Sequence, residues 1–199
     1  MLYRVIRLLV YPFVRLIFRL KITGKEHIPP NGGFVLCANH TSIADVFILA
    51  VVFRRTIHFM GKAELFRSPV SRFLFQKLGS FAVQRGKGDV EAIEQACRYL
   101  EKGEVFGIFP EGTRGNGQTL GRGKAGAALI AQKTGAPVLP VSLRYSSGRA
   151  RAFCRVAVHI GPVLDLNATA EPEETERAKI RRTTGMIMNE ITTLWEEKP

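Results

Sequence analysis

Short apolar runs recur along the chain at 34–38, 57–60, 81–83, 105–109, 137–143 and 153–160. The first, Phe34-Val35-Leu36-Cys37-Ala38, follows Asn31-Gly32-Gly33 and is partly β-branched. Its length, composition and flanking turn residues predict a buried strand, and the other runs read the same way. Longer segments between them, at 45–53, 70–78, 90–102 and 124–133, carry helical patterning, and Gly103 suits the stop after the third. Strands alternating with helices predict an α/β fold with a mixed sheet flanked by helices. No internal repeat or low-complexity linker interrupts residues 24–199, so the pattern predicts one continuous domain there.

The first twenty residues, M-L-Y-R-V-I-R-L-L-V-Y-P-F-V-R-L-I-F-R-L, have a different pattern. Arginines recur throughout, and no small-residue cleavage site follows, so the segment does not read as a signal peptide. Its uncharged stretch, 8–14, is far below the roughly 20 apolar residues of a spanning helix. On a helical wheel Arg4, Arg7, Arg15 and Arg19 fall within roughly 120° and apolar side chains fill the rest. Pro12 predicts a kink or a division into two helices. Residues 1–23 are therefore expected to form an amphipathic helix or helix pair at a membrane interface, its arginines meeting phosphate headgroups. The competing arrangement is a helix docked on the protein's own core with arginines snorkelling at its edge.

Polar and basic residues gather where the runs end. After 34–38 comes N-H-T-S-I-A-D, with His40 and Asp45 five apart at a strand-to-helix junction. Two readings fit. Ser42 with Asp45 three residues on resembles a capping box, with the carboxylate favoured in the first helical turn. Alternatively His40 is a base and Asp45 the acid that fixes its tautomer and stabilises its imidazolium. After 57–60 comes Gly61-Lys62-Ala63-Glu64-Leu65, and after 81–83 comes Gln84-Arg85-Gly86-Lys87. After 105–109 comes Pro110-Glu111-Gly112-Thr113-Arg114-Gly115. Basic loops at several strand ends are able to converge on one anionic group. Glu111 is then either a solvated turn residue or an organiser holding an arginine in place, and Gly112 permits a tight turn with exposed amides.

Composition narrows the classes. The chain has 199 residues, 46% of them hydrophobic, with a net charge of +12. That size and hydrophobicity fit a single folded domain, and the charge predicts attraction to polyanions such as phosphorylated substrates, an anionic membrane or nucleic acid. Nucleic-acid binding is disfavoured because the aromatics lie mainly within the apolar runs and the N-terminal segment rather than interleaved with basic residues. Three scattered cysteines without C-x-x-C and four histidines without metal-ligand spacing argue against a disulfide framework or structural zinc. Cys37 reads as a packed apolar residue.

N-H-T-S-I-A-D, G-S-F-A-V-Q-R at 79–85, F-P-E-G-T-R at 109–114 and A-P-V-L-P-V at 136–141 resemble, in order and approximate spacing, four motif blocks of the 1-acylglycerol-3-phosphate acyltransferases. The resemblance spans about residues 24–160. It implies acyl transfer from acyl-CoA or an acyl carrier protein thioester to the sn-2 hydroxyl of lysophosphatidic acid, giving phosphatidic acid in phospholipid biosynthesis. It implies no covalent acyl-enzyme, no metal and no cofactor. His40 would be the base and Asp45 its partner. Lys62, Arg85, Glu111, Gly112, Thr113 and Arg114 would bind the acceptor or organise its site. The 136–141 block would serve the acyl donor or shape the site. Gly115 departs from the serine often found in the family. A peripheral or monotopic place on the cytoplasmic face of the cell membrane follows from the resemblance and the N-terminal segment together. The alternatives are another acceptor, such as glycerol 3-phosphate or a different lysophospholipid, and a non-catalytic basic membrane-binding or nucleic-acid-binding protein.

Overall fold

The computed structural model describes residues 2–83, 89–166 and 174–197, with the side chains of residues 2–6, Lys62 and Asp89 outside that description. Helix α1 (Leu2–Ile17) leads into strand β1 (Arg19–Thr23), then β2 (Phe34–Ala38), α2 (Ala44–Val52), β3 (Ile57–Lys62), α3 (Pro69–Lys77) and β4 (Phe81–Val83). There follow α4 (Asp89–Glu101), β5 (Val105–Ile108), α5 (Gly126–Thr134), β6 (Val138–Tyr145), β7 (Arg155–Ile160) and α6 (Glu176–Glu196). The strands form one sheet in the order β1-β7-β6-β2-β5-β3-β4. Every neighbouring pair is parallel except β6 and β7, which makes the sheet mixed, as the alternation of elements predicts.

The two faces bury separate cores. Phe34, Leu36 and Ala38 of β2 face the side covered by α1 and α2, and Val35 and Cys37 face the side covered by α4, α5 and α6. All five residues of β2 are buried, which is why the strand reads as an unbroken apolar run instead of an alternation. Gly107 of β5 lies where an added Cβ would come within 2.4 Å of the Phe59 ring, so the absent side chain leaves room for that phenyl group.

Two elements depart from the expectation. Residues 19–23 form the edge strand β1, with alternating exposure, so Arg19 does not extend an arginine stripe on the N-terminal helix. The longest element, the 21-residue α6, has no apolar run to announce it. Its buried positions, Thr183, Ile187, Ile191 and Leu194, recur every third or fourth residue among polar ones, which is a helical period. Arg144 of β6 holds its end, donating to the carbonyl of Trp195 at 3.1 Å and lying over the Trp195 ring at 4.7 Å. A cation at a helix C-terminus is favoured by the dipole.

Helix α1 continues through Pro12 without division. Val14 and the following Phe18 are buried in the core. Arg7 reaches the Val51 carbonyl near the end of α2 at 3.5 Å instead of pointing outward. Leu8, Leu9, Phe13 and Leu16 nevertheless stay largely exposed, so the helix docks on the core through one side and leaves a second apolar face uncovered. Among the described residues no helix is long and apolar enough to cross a membrane.

Replacing Gly107 by alanine forces the buried Phe59 ring aside, since no well-packed core absorbs an added carbon at that distance. The expected loss is about 1–3 kcal/mol of stability, read as a lower urea midpoint with an unchanged denaturant slope.

Candidate active site

His40 sits two residues beyond the carboxyl end of β2, where ligands of open α/β sheets commonly bind. Its neighbour Asn39 fixes the strand end. The Asn39 side chain donates to the Leu143 carbonyl at 2.9 Å and accepts from the Leu143 amide at 2.7 Å, tying β2 to β6 as a backbone pair would.

The His40 Nδ1 lies 2.8 Å from Oδ2 of Asp45, whose residue is fully buried. The same carboxylate oxygen accepts the amides of Thr41 at 2.8 Å and Ser42 at 2.9 Å. Its other oxygen, Oδ1, accepts the hydroxyl of Tyr145 at the end of β6. A carboxylate accepts only, so Nδ1 carries the proton and the lone pair falls on Nε2. Among the described residues Nε2 has no protein partner. Burial first, and then the neighbouring carboxylate, raise the Tyr145 phenol well above its ordinary range, so it remains a donor to Asp45.

Both readings of the N-H-T-S-I-A-D stretch are therefore realised by one side chain. Asp45 reaches back to the Ser42 amide in the manner of a capping box, and it also holds the histidine. Ser42 Oγ accepts the Ala44 amide at 3.2 Å instead of the amide three residues on, so only half of the box is present.

The His40 ring stacks on Phe109 with centroids 4.0 Å apart, and Phe109 stacks in turn on Phe59 at 5.3 Å. An aromatic stack of this kind, with the two rings within 13° of parallel, fixes the plane of the imidazole. Glu111 fixes its backbone. That buried carboxylate accepts the His40 amide at 2.8 Å through Oε1 and the Gly121 amide at 2.7 Å through Oε2. The Gly115 amide donates to the His40 carbonyl at 2.7 Å, closing the loop over the strand end. Glu111 is thus an organiser, of backbone amides and not of an arginine. Gly112 has φ +68°, and its amide donates to the Phe109 carbonyl at 2.9 Å in a tight turn that a side chain would drive into Lys124.

Thr113 and Arg114 are exposed beside this turn. Among the described residues no hydrogen bond or ion pair engages the Arg114 guanidinium, which leaves it free for an anion. Lys62 ends β3 in register with Val83 of β4, at the same edge of the sheet, with its side chain outside the description. Arg85 lies outside the described residues. Cys37 is fully buried on the opposite sheet face from the α2 core, and burial pushes its thiol far up, so it is packing and not a nucleophile.

Tyr145, Phe109 and Asn39 are parts of the site that the strand-end motifs do not single out. Tyr145 is 100 residues from Asp45 along the chain, and only the pairing of β2 with β6 brings them together. The one available signal is a tyrosine closing a strand that is buried along nearly all its length.

An acyltransferase family model matches residues 19–144. A 1-acyl-sn-glycerol-3-phosphate acyltransferase of Bacillus subtilis is 33% identical over 135 residues, covering 67% of this chain and 67% of the relative. The Borreliella burgdorferi protein of the same name is 28% identical over 173 residues, covering 82% of this chain and 69% of that one. A lyso-ornithine lipid O-acyltransferase of Pseudomonas aeruginosa is 32% identical over 129 residues, covering 64% and 48%. The crystal structure of the 1-acyl-sn-glycerophosphate acyltransferase PlsC from Thermotoga maritima shares the fold. It matches with a TM-score of 0.72 at 24% identity, over 98% of this chain and 82% of that one. The family model runs from the start of β1 to the penultimate residue of β6 and so across the strand ends that carry His40 and Glu111. The chain therefore belongs to the acyltransferase family, among the 1-acyl-sn-glycerol-3-phosphate acyltransferases.

Proposed function

We propose that this acyltransferase moves an acyl group from acyl-CoA or acyl carrier protein to the sn-2 hydroxyl of 1-acyl-glycerol 3-phosphate, giving phosphatidic acid. The observation that carries the reading is the His40 imidazole, held at Nδ1 by a buried carboxylate with Nε2 unengaged by protein. An alcohol is a poor nucleophile until its proton has somewhere to go. In the proposed step Nε2 takes the acceptor's hydroxyl proton as the oxygen attacks the thioester carbonyl. The tetrahedral oxyanion then collapses, the carbon–sulfur bond breaks, and the imidazolium returns the proton to the departing thiolate. Asp45 stabilises the imidazolium during that interval without taking the proton itself. No side chain becomes acylated, and the proton balance closes within His40.

Arg114, Thr113 and the Gly112 turn, together with Lys62 and Arg85 from the neighbouring strand ends, are assigned to the acceptor phosphate. Guanidinium groups match phosphate oxygens in pairs, and fixing the phosphate aligns the hydroxyl on Nε2. Glu111 supports this set by positioning the loop. The uncovered apolar face of α1, residues 8–16, is assigned to the membrane surface that holds the acceptor, on the cytoplasmic side. A second acceptor class is favoured by one finding, the relative named a lyso-ornithine lipid O-acyltransferase. Assays of one acyl donor against lysophosphatidic acid, glycerol 3-phosphate and lyso-ornithine lipid separate the two readings.

His40→Ala is expected to lower turnover by about 10²–10⁴-fold in a protein that still folds, with a stability loss of about 1–2 kcal/mol because Asp45 loses one of its donors. Near-normal turnover in the purified variant would contradict the mechanism.

Tyr145→Phe removes one donor from Asp45 and leaves three. Stability is expected to fall by about 1–2 kcal/mol. Turnover is expected to fall on the order of tenfold through looser control of the imidazole, with both Michaelis constants unchanged. A rise in either Michaelis constant at full turnover would place Tyr145 in substrate binding instead.

Arg114→Ala is expected to raise the Michaelis constant for lysophosphatidic acid by roughly 10-fold or more, the loss of a charge-assisted contact, and to leave that for the donor alone. Steady-state kinetics with each substrate varied in turn checks it.

A further inference from the structure

We infer that the groove between the end of α1 and the β1–β7 edge of the sheet is a headgroup site for an anionic membrane phospholipid, separate from the acyl-acceptor site at His40. The groove has a volume of about 430 Å³, and its charged lining is Arg15, Arg19, Lys21 and Arg155 over a floor that includes Phe18 and Leu20. No carboxylate lines it, and among the described residues none of the four cations forms an ion pair.

The arrangement opposes the protein's own stability. Arg19 and Arg155 are direct partners in the parallel ladder of β1 and β7, on strands about 4.8 Å apart. Like charges placed side by side across a strand pair repel. Lys21 follows Arg19 on the same face of β1, since strand side chains alternate, and Arg15 comes in from the last turn of α1. Four cations converging without a counter-charge are complementary to a phosphate ester, which guanidinium groups bind in pairs.

The surroundings select a lipid over a soluble phosphate. Leu16 and Ile17 are exposed immediately after Arg15. Phe153 stands beside them, its amide bonded to the Ile17 carbonyl at 2.6 Å, while the Arg19 amide bonds to the Cys154 carbonyl at 3.0 Å. Phe153 is 64% exposed and is the non-glycine residue with positive φ, +63°, among the described residues. A bulky residue in the left-handed region is strained, and here the strain holds an aromatic ring out into solvent. Cations at the groove and apolar side chains at its mouth match a headgroup with its acyl chains.

Topology gives the groove its use. Strand β7 runs against β6, and β1 runs with β7, so the beginnings of β1 and β7 lie at the sheet edge where β2 and β6 end. The Phe18 ring in the groove's floor meets the Tyr145 ring, edge to face, at 6.2 Å. A phospholipid held there keeps the catalytic edge against the bilayer.

The inference rests on the membrane reading proposed above, and the experiment separates the two. The full chain is floated with phosphatidylcholine vesicles and with vesicles that also contain phosphatidylglycerol, at equal ionic strength. Binding to the neutral vesicles reads apolar insertion, and the added affinity for the anionic ones reads the groove. The triple variant Arg19→Gln, Lys21→Gln, Arg155→Gln is compared with Lys102→Gln, Lys133→Gln, Arg177→Gln, which removes equal charge from the turn after α4, from α5 and from α6. The groove variant is expected to lose on the order of tenfold or more of the anionic increment, from about fivefold per cation near an anionic surface. It should keep its binding to neutral vesicles, its turnover on detergent-dispersed acceptor, and a urea midpoint at least as high as wild type once the repulsion is gone. The control variant should keep the anionic increment. Equal losses in both variants would mean a net-charge effect, and no loss in either would leave the groove unoccupied by lipid; both overturn the inference. So would a raised Michaelis constant for acyl-CoA in detergent, which would give the groove to the donor. Failure of the wild-type chain to float with either vesicle would remove the membrane reading itself, and the groove with it.

Discussion

A carboxylate in an apolar interior is tolerable only if donors replace the water it has lost, and Asp45 meets that condition with four of them. Two are backbone amides that the chain presents only when 41–42 turn into α2. One is the histidine it orients. One is the hydroxyl of Tyr145, which arrives only when β6 lies beside β2. The four donors come from three different local decisions, so the satisfied carboxylate marks the point at which the strand end, the helix start and the central strand pair agree. Any arrangement that spoiled one of them would leave a buried charge short of partners, which costs more than a hydrogen bond gains.

Glu111 repeats the device on the other side of His40. One carboxylate oxygen takes the histidine's own amide and the other takes the amide of Gly121, so the loop after β5 is closed onto the loop after β2. The imidazole is then constrained in three ways: through its amide by Glu111, through Nδ1 by Asp45, and through its plane by Phe109. Such constraint serves general-base chemistry, where the lone pair must already point at the proton it will take. It also explains why acidic groups sit at the centre of a chain carrying +12 net charge. These carboxylates bind the protein to itself through amides, an imidazole and a hydroxyl.

The single antiparallel pairing, β6 with β7, has consequences beyond the sheet. It reverses the chain direction for β7 and β1 and so brings α1, with its uncovered apolar residues, to the catalytic edge. With an all-parallel order the start of β1 would lie at the far end of the sheet. The reversal thereby puts the uncovered apolar surface of α1 and the His40 imidazole at one end of the sheet.

How much was legible beforehand follows from which interactions are local. The buried strands announce themselves because a strand covered on both faces is an unbroken apolar run, as β2 and β5 are. The His40–Asp45 relation was legible as one of two readings of a strand-to-helix junction, and the resemblance chose between them; F-P-E-G-T-R was legible through the same resemblance, and its glycine takes the positive φ that the turn needs. The start of β1 was concealed inside an apolar, arginine-bearing segment that a helical wheel also fits. Helix α6 was concealed because it buries a stripe and not a run. The sequence by itself therefore determined the α/β class, the family and the pair at the heart of the site. Only the tertiary structure decided that Tyr145 completes Asp45, that Glu111 organises amides, and that Arg19 and Arg155 stand side by side, because each depends on strands pairing across 71 residues or more, at a register no local spacing encodes.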